Sequence, residues 1–242
     1  MNVLAIIPAR LASTRLPRKM LREIAGKPLV GWVYEAVHRS PLISDVIIAT
    51  DSNEILEACG KHRWKVQLTS AAHRSGTERV HEVSNSITAD VYVNVQGDEP
   101  LVRPEQIEAL LQVMHDPEVQ VGTVKTPCPI EEVGNPNAVK VVTIPDGRAL
   151  YFSRATIPYD RDVTGLRYFK NLGLYAYRKS ALDWFVSHPE SALEKSERLE
   201  QLRFLENGIP IYVGETHYDS VGVDTEEDLQ RVKEILLKRT LV

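Results

Sequence analysis

The chain has 242 residues, of which 43% are hydrophobic and 26% are charged, a composition typical of a globular protein with a sizeable core. Its formal net charge of -4 argues against a protein that coats nucleic acid or anionic membranes, since either role needs a basic excess. No apolar stretch is long enough to span a bilayer, and the run before Pro8 lacks the basic leader of a signal peptide. Cys59 and Cys128 are far apart and lack metal-ligand spacing, which predicts a cytoplasmic protein.

Short β-branched runs alternate with helical patterns through the first half of the chain. The predicted strands cover residues 3–7, 46–50 and 91–95. The predicted helices cover residues 29–38, 54–62 and 77–83, and a further helix begins at Arg103. This alternation predicts an α/β fold, with a mostly parallel Rossmann-like sheet flanked by helices. The apolar run 91–95 predicts a strand buried on both faces.

The pattern changes between residues 119 and 177, where strand-like pieces are separated by Pro, Gly and Asn turns. These pieces cover residues 121–125, 139–143, 149–152 and 174–177. Helices are predicted again at 191–206, where Gly208 ends the helix, and at 225–237. We therefore expect one domain over residues 1–242, in which residues 119–177 form an inserted strand-rich lobe or a dimer contact.

A basic loop follows the first predicted strand, between Ala9 and Lys19. Ligands of parallel α/β sheets bind beyond the carboxyl ends of the strands, so this loop should face the site. It contains four cations and two hydroxyls, namely Arg10, Ser13, Thr14, Arg15, Arg18 and Lys19. Such a set suits a triphosphate, which needs neutralisation and several fixed donors, but the loop lacks P-loop and dinucleotide-binding glycine motifs. The alternative is a solvated basic loop without a ligand.

Asp98 and Asp224 are the candidate metal ligands. Asp98 follows the predicted buried strand and Asp224 begins the last predicted helix, so folding can bring both carboxylates to one cation. Two carboxylates suffice for Mg²⁺, which also binds phosphate oxygens and water. The alternative interpretations are a turn residue for Asp98 and a helix N-cap for Asp224. The segment 160–162 imitates the Asp-x-Asp of metal-dependent glycosyltransferases, but it does not follow a long buried strand.

Several ordered blocks along nearly the whole chain resemble the CMP-Kdo synthetases, the 3-deoxy-manno-octulosonate cytidylyltransferases. The blocks cover residues 6–19, 26–29, 49–51, 75–79, 93–100, 135–140, 152–158, 199–203 and 222–225. The resemblance implies a nucleotidyltransferase fold, Mg²⁺ as cofactor, and CTP and the acidic sugar Kdo as substrates in lipopolysaccharide biosynthesis. It also implies a homodimer, with residues 119–177 as the sugar-binding and dimerisation lobe.

The resemblance further implies a role for each matching residue. The phosphates of CTP would be bound by Arg10, Ser13, Arg15 and Lys19. The nucleoside part would lie near Ser75, Gly76 and Arg79. The metal ligands would be Asp98 and Asp224, which with Lys19 form the expected catalytic set. The sugar acid would be bound by Gln96, Arg154, Arg161, Asn171, Tyr177, Glu200 and Gln201.

The sugar-binding residues have simpler alternative interpretations. Tyr177 can be a half-buried strand residue, and Glu200 can be a solvent-facing residue of a charged helix. As a set, however, they supply the cations and hydrogen-bonding groups that an acidic sugar needs. Five histidines lie at helix ends or in loops and are expected to face solvent, namely His62, His73, His115, His188 and His217.

Two positions depart from the pattern of the family that the chain resembles. Arg18 stands where a glycine is usual, so a requirement for positive φ there would change the loop path. Asn171 stands where a histidine is usual, and asparagine can hydrogen-bond but cannot titrate. The identity of the sugar is therefore predicted less firmly than the type of reaction.

We predict in-line attack of the anomeric hydroxyl of the sugar acid on the α-phosphorus of CTP, with pyrophosphate as the leaving group. Catalysis would depend on positioning and charge neutralisation by Lys19, Arg15 and Mg²⁺. The alternatives are a cytidylyltransferase for a sialic acid or an amino-substituted octulosonate, a nucleotide-binding regulatory module without turnover, and a glycosyltransferase.

Overall fold

The computed structural model describes residues 1–13 and 15–240. Its strands are β1 (Val3–Ala9), β2 (Glu23–Ile24), β3 (Lys27–Pro28), β4 (Asp45–Thr50), β5 (Val66–Leu68), β6 (Val91–Val95), β7 (Val121–Pro127), β8 (Lys140–Thr143), β9 (Ala149–Ser153), β10 (Phe169–Tyr177) and β11 (Ile211–Glu215). Its α-helices are α1 (Leu29–His38), α2 (Asn53–His62), α3 (Gly76–Ser84), α4 (Pro104–Val113), α5 (Lys179–Ser187), α6 (Ala192–Glu197), α7 (Leu202–Glu206) and α8 (Glu226–Thr240). Short 3-10 helices cover Lys19–Leu21 and Ile130–Glu132.

The described residues form two compact units, and the first consists of those within 1–107 together with residues 220–240. Its main strands run parallel in the order β6-β1-β4-β5. All residues of β1 and β6 are buried, because helices α1 and α3 pack against the sheet. Strands buried on both faces are typical of parallel sheets, as the apolar run 91–95 predicted.

An apolar cluster in the first unit joins the basic loop to the last helix. Leu16 of the loop, Val223 before α8, and Leu229 and Val232 within α8 are all at most 3% exposed and belong to this cluster. Full burial of one such side chain contributes about 1.5–3 kcal/mol. The cluster therefore fixes the loop and the start of α8 beside one another.

The second unit consists of residues 108–219. Strand β7 pairs with β11 in parallel and with β10 in antiparallel orientation, and β8 pairs with β10 and β9. Helix α5 packs on β10 and helix α7 on β9. The unit thus contains the predicted strand-rich segment 119–177 and extends beyond it on both sides. That this segment binds sugar and forms a dimer stays a prediction.

The structure confirms the predicted α/β class and most of the predicted elements. The prediction of one continuous helix over residues 191–206 is wrong, because Arg198 adopts a left-handed conformation with φ 55° and ends α6. A second helix, α7, then follows and ends before Gly208, which has φ 76°. The strand predicted at 174–177 is the end of the longer β10. Among the described residues, no helix is long and apolar enough to cross a membrane.

Candidate active site

One lysine lies between the two aspartates that were predicted to bind metal. Lys19 Nζ donates to a carboxylate oxygen of Asp98 at 2.5 Å and to one of Asp224 at 3.0 Å. The other oxygen of Asp224 forms an ion pair with Arg15, whose Nη2 lies 2.9 Å away. The side chain of Lys19 is 9% exposed, whereas that of Arg15 is 62% exposed. The two carboxylates therefore converge on one cationic position beside the basic loop.

The main chain around Asp98 is held at two points. Its carbonyl accepts from the N–H of Val223 at 2.9 Å, which ties the turn after β6 to the residue before Asp224. A Cβ atom on the preceding Gly97 would lie 2.8 Å from the carbonyl oxygen of Pro8. Only glycine permits this close approach, so Gly97 lets the turn carrying Asp98 lie against the end of β1.

Asp224 lies just before α8 but does not cap it. The hydroxyl of Thr225 accepts from the N–H of Asp228 at 3.2 Å, and the carboxylate of Asp228 accepts from the N–H of Thr225 at 2.9 Å. This reciprocal arrangement makes Thr225 the N-cap. The same Asp228 oxygen accepts from the N–H of Asp224 at 3.0 Å. The interpretation of Asp224 as a helix cap is therefore wrong, and its carboxylate points to Lys19 and Arg15 instead.

The charge state of Lys19 follows from these contacts. Burial by itself would lower the pKa of Lys19, because it disfavours the charged form. The charge of Asp98 and the hydrogen bonds to Asp98 and Asp224 outweigh burial and raise the pKa above its ordinary value. Lys19 is thus a permanent cation, suited to neutralise phosphate charge.

Arg18 adopts the positive φ that glycine usually supplies. Its backbone has φ 57° and ψ 31°, and its carbonyl accepts from the N–H of Leu21 at 2.9 Å as the 3-10 helix begins. Its guanidinium pairs with Glu54. The departure at this position therefore leaves a left-handed turn before Lys19, in which arginine carries the strain that glycine would avoid.

A cavity of about 520 Å³ lies beside the basic loop. It is lined by Leu11, Ala12, Ser13, Pro17, Arg18, Asp51 and Ser52. The hydroxyl of Ser13 accepts from the N–H of Leu16 at 3.4 Å, and Arg10 Nη2 donates to the carbonyl of His73 at 2.8 Å. Thr14 lies outside the described residues. Of the predicted phosphate residues, Ser13 lines this cavity. Arg15 and Lys19 contact the Asp98–Asp224 pair instead.

The residues predicted near the nucleoside lie at the start of α3. Ser75 caps this helix by accepting from the N–H of Glu78 at 3.2 Å, and Gly76 follows it. Arg79 has no exposed surface; it donates to Thr69 Oγ1 and, at 2.9 Å, to Asp51. Because Asp51 lines the cavity, the burial of Arg79 favours a positioning role over direct contact with a nucleotide.

His73 does not face solvent as predicted. Its side chain is 19% exposed, its Nε2 contacts the carboxylate of Glu82, and its Nδ1 lies 3.8 Å from Glu78. The reason for the error is that α3 turns two glutamates toward the loop that precedes it, which the loop sequence alone does not indicate.

The predicted sugar-binding residues belong to both units. Gln96 lies in the first unit, half-buried after β6, and its carbonyl accepts from the N–H of Glu99 at 3.1 Å. The residues of the second unit are Arg154, Arg161, Asn171, Tyr177, Glu200 and Gln201.

Asn171 lies at an irregularity in β10, where the register against β7 shifts between Asn171 and Tyr175. Its Nδ2 donates to the hydroxyl of Tyr175 and to the carbonyl of Leu172, both at 2.8 Å. Its Oδ1 lies 3.1 Å from the hydroxyl of Thr123, which can donate to it. Asn171 therefore holds the bulge of this strand with its amide.

Tyr177 and Gln201 are buried, and Glu200 is half-buried. The ring of Tyr177 stacks on that of Tyr175 at 6.2 Å and lies 6.0 Å from Phe204 of α7. Tyr177 is thus a core residue of the second unit, which is close to the alternative interpretation of Tyr177 as a half-buried strand residue. Its role in sugar binding stays a prediction.

The two predicted sugar-binding arginines differ in their surroundings. Arg154 donates from Nε to the carbonyl of Glu197 at 2.7 Å and from Nη1 to that of Pro136 at 2.9 Å. These bonds fix its guanidinium beside the segment before Glu200. Arg161 is exposed, in the loop between β9 and β10. Arg161 therefore has the freedom to meet a carboxylate.

Asp98 and Asp224 fit the requirements of Mg²⁺. No group of three or more His, Cys, Asp or Glu residues suited to metal binding exists among residues 1–13 and 15–240. Mg²⁺ needs only one or two protein carboxylates when substrate phosphates and water complete its shell. The two carboxylates already share one cation, the ammonium of Lys19, so their donor set suits a divalent ion as well.

Two residues were given no role in the sequence interpretation. Asp51 lines the cavity and pairs with Arg79, and its place in the block 49–51 was the only sequence signal. Asp228 fastens the backbone of Asp224. Its signal was the spacing of Thr225 and Asp228, which matches a capping box with aspartate in place of glutamate.

The chain is similar to known proteins along nearly its whole length. Residues 4–215 match the family model described as cytidylyltransferase. The 3-deoxy-manno-octulosonate cytidylyltransferase of Koribacter versatilis is 64% identical over 239 residues, which cover 98% of this chain and 91% of the relative. The protein of the same name from Acidobacterium capsulatum is 56% identical, over 99% of this chain and 98% of the relative.

A solved structure shows the same similarity over the full length. The structure of CMP:2-keto-3-deoxy-manno-octonic acid synthetase complexed with CTP matches this chain with a TM-score of 0.95 at 40% identity. The match covers 99% of this chain and 100% of that one. The chain therefore belongs to the cytidylyltransferase family, among the 3-deoxy-manno-octulosonate cytidylyltransferases.

Proposed function

We propose that this protein transfers CMP from CTP to the anomeric hydroxyl of 3-deoxy-D-manno-octulosonate, with pyrophosphate as the second product. The observation that carries the proposal is the convergence of Asp98 and Asp224 on Lys19 beside the basic loop. This arrangement occurs in a chain that is 64% identical to a 3-deoxy-manno-octulosonate cytidylyltransferase. The product would serve lipopolysaccharide biosynthesis.

In the proposed reaction, the anomeric oxygen forms a bond to the α-phosphorus while the bond from that phosphorus to the pyrophosphate oxygen breaks. The hydroxyl proton is released to solvent, and pyrophosphate carries away the negative charge. Phosphoryl transfer of this kind depends on positioning and electrostatic stabilisation more than on a protein nucleophile. The residues of the site therefore need to neutralise charge and hold the substrates in line.

Lys19 and Arg15 meet this need by exchanging partners. Without substrate, their charges are balanced by Asp98 and Asp224. When the triphosphate enters the cavity beside the loop, its oxygens compete with these carboxylates for the two cations. The cations are then placed on the leaving pyrophosphate, where they are most useful in the transition state.

Asp98 and Asp224, released from Lys19 and Arg15, would hold Mg²⁺, which supplies charge neutralisation to the phosphates and acidity to the attacking hydroxyl when bound. Asp228 keeps the backbone of Asp224 in place through the bond to its N–H. Val223 does the same for Asp98, because the N–H of Val223 donates to the Asp98 carbonyl. The carboxylates are thus held by main-chain contacts that do not depend on Lys19.

For the sugar acid, we infer that the second unit contributes Arg154, Arg161, Asn171, Tyr177, Glu200 and Gln201. Gln96 of the first unit keeps its predicted role in binding the sugar acid. Arg161 is exposed and can pair with the sugar carboxylate. Asn171 replaces a titratable histidine with an amide that already bonds to Tyr175. The position therefore supplies hydrogen bonds and no proton transfer, which suits a reaction driven by charge neutralisation.

We also propose a homodimer that works in the cytoplasm. The loop between β9 and β10 exposes Tyr159 and Val163 by 84% and 86%, and Leu166 by 40%. Apolar side chains grouped in this way are typical of an interface. Both cysteines are free thiols, which suits a reducing compartment.

The experiment is pyrophosphate release from each nucleoside triphosphate with the octulosonate, an amino-substituted octulosonate or sialic acid as acceptor. We expect the highest kcat/KM with CTP and the octulosonate, and none without a divalent cation. A higher kcat/KM with another acid would move the proposal to that sugar. Tight CTP binding without pyrophosphate under any acceptor would contradict enzymatic function, and consumption of CMP-sugar without its formation would indicate a glycosyltransferase.

A further inference from the structure

The segment of residues 69–75, between β5 and α3, is fastened by side chains of α3. One oxygen of Glu82 accepts from the N–H of Ser70 at 2.9 Å and contacts Nε2 of His73. Glu78 accepts from the N–H of Arg74 at 2.6 Å. The ring of His73 therefore lies between two carboxylates of one helix and completes the attachment of the segment 69–75.

The carbonyl of His73 is the contact point of this segment with the basic loop. Arg10 Nη2 donates to it at 2.8 Å, across 63 positions of the sequence. Arg10 is half-buried directly after β1, at the base of the loop that carries Ser13, Arg15 and Lys19. The orientation of this guanidinium thus depends on where His73 holds its own carbonyl.

We propose that His73 is a positioning residue for nucleotide binding, acting through Arg10. The inference rests on the proposed function, because it assumes that Arg10 meets the triphosphate. An arginine side chain loses rotamer entropy when it is ordered. The His73 carbonyl orders Arg10 before the nucleotide arrives, so less of that cost falls on binding.

The proposed role of His73 affects the affinity for CTP and not the chemical step. Arg10 belongs to the predicted phosphate site, whereas the Asp98–Asp224 pair is held by Val223 and Asp228. Loss of the His73 ring should free the segment 69–75 from Glu82 and let the carbonyl move. CTP should then bind more weakly, while turnover at saturating CTP stays close to that of the wild type.

The test is a double-mutant cycle on the full chain, read by calorimetric titration with CTP and Mg²⁺ and by steady-state kinetics. His73→Ala should raise Kd and KM for CTP about tenfold, the loss expected for one hydrogen bond at a charged group, with kcat within about twofold. Arg10→Ala should raise Kd at least as much, and the double variant should be no weaker than Arg10→Ala alone. His62→Ala is the matched control, since His62 is exposed at the end of α2, where it stacks on Trp64 at 4.3 Å, and its loss should leave Kd unchanged.

A second variant covers the case in which His73→Ala does not fold. Glu82→Gln leaves the histidine in place but removes the charge that holds its ring, and Kd should rise severalfold with kcat again preserved. Wild-type affinity in both His73→Ala and Glu82→Gln, or additive effects of His73→Ala and Arg10→Ala, would overturn the positioning role. A wild type that binds CTP but forms no product would contradict the proposed function alone.

Discussion

The N–H of Val223 donates to the carbonyl of Asp98 at 2.9 Å, a bond between residues 125 positions apart in the sequence. It joins the turn after β6 to the start of α8 and so holds both candidate metal ligands at one place. Val223 has no exposed surface, so the bond is protected from water. Apolar packing around Val223 thus helps to position Asp98 and Asp224.

The capping contacts at the start of α8 should hold Asp224 in position. Asp228→Ala removes the acceptor for the N–H groups of Asp224 and Thr225. We expect a loss of about 1 kcal/mol in the free energy of unfolding, the usual cost of a lost cap. We also expect a higher Mg²⁺ concentration for half-maximal turnover. Asp228→Asn, which keeps an acceptor oxygen, is the control; equal Mg²⁺ requirements in Asp228→Ala and wild type would contradict this role.

The left-handed turn before Lys19 predicts an unusual stabilising substitution. At φ 57°, Arg18 carries a strain of about 1 kcal/mol that glycine does not. Arg18→Ala loses the pair with Glu54 but keeps the strain, so it is the matched control. Urea unfolding should show Arg18→Gly to be more stable than Arg18→Ala by about 1 kcal/mol. A glycine variant less stable than the alanine variant would mean that Arg18 is not left-handed in solution.

The contact between Glu82 and the segment 69–75 predicts a dependence of stability on pH. Burial would raise the pKa of Glu82, but the bond from the N–H of Ser70 and the contact with His73 outweigh it and lower the pKa. Because the pKa of Glu82 is lower in the folded state, its carboxylate stabilises the fold at pH values above the unfolded-state pKa of about 4.3. This contribution disappears as the pH falls through the folded-state pKa.

Wild type should therefore be more stable than Glu82→Gln near neutral pH, and the difference should shrink as pH falls below about 4.3, the unfolded pKa. Chemical unfolding at several pH values measures it. Glu57→Gln, on the exposed face of α2, is the control and should show no such trend. A difference between wild type and Glu82→Gln that grows on acidification has the opposite sign and would refute the assignment.

The exposed apolar residues in the loop between β9 and β10 predict which substitutions should dissociate a dimer. Replacing Tyr159 and Val163 together by serine should convert a dimer to a monomer at micromolar concentration, as measured by analytical ultracentrifugation. Leu68→Ser is the control, because Leu68 is 48% exposed but belongs to the first unit. A double variant that still sediments as a dimer would place the interface elsewhere.

The sequence predicted the parallel strands well because burial on both faces leaves apolar runs such as 91–95. It did not predict β5, which has three residues and is half-exposed, nor the break at Arg198. Nothing in local propensity favours a left-handed arginine, and that conformation is set by the packing of α6 and α7.

In the candidate site too, some features follow from the sequence and others depend on tertiary contacts. Asp98 and Asp224 could be paired in advance, since one follows a central strand and the other begins a helix. That Asp224 leaves capping to Thr225 was missed because both residue types are good caps, and the only sequence signal was the spacing of Thr225 and Asp228. The burial of Arg79 and the place of His73 depend on tertiary contacts that a single sequence does not contain.

The most direct measurement of the central claim compares pyrophosphate release by wild type and Asp98→Asn, with CTP, octulosonate and increasing Mg²⁺. The substitution keeps the size of the side chain but removes one of the two charges that converge on the Lys19 ammonium. Asp183→Asn, at an exposed position of α5, is the control and should have wild-type rates. We predict that Asp98→Asn stays folded by circular dichroism and loses at least about 1,000-fold in turnover. Near-native rates of Asp98→Asn at saturating Mg²⁺ would contradict the assignment of Asp98 and Asp224 as the metal-binding centre.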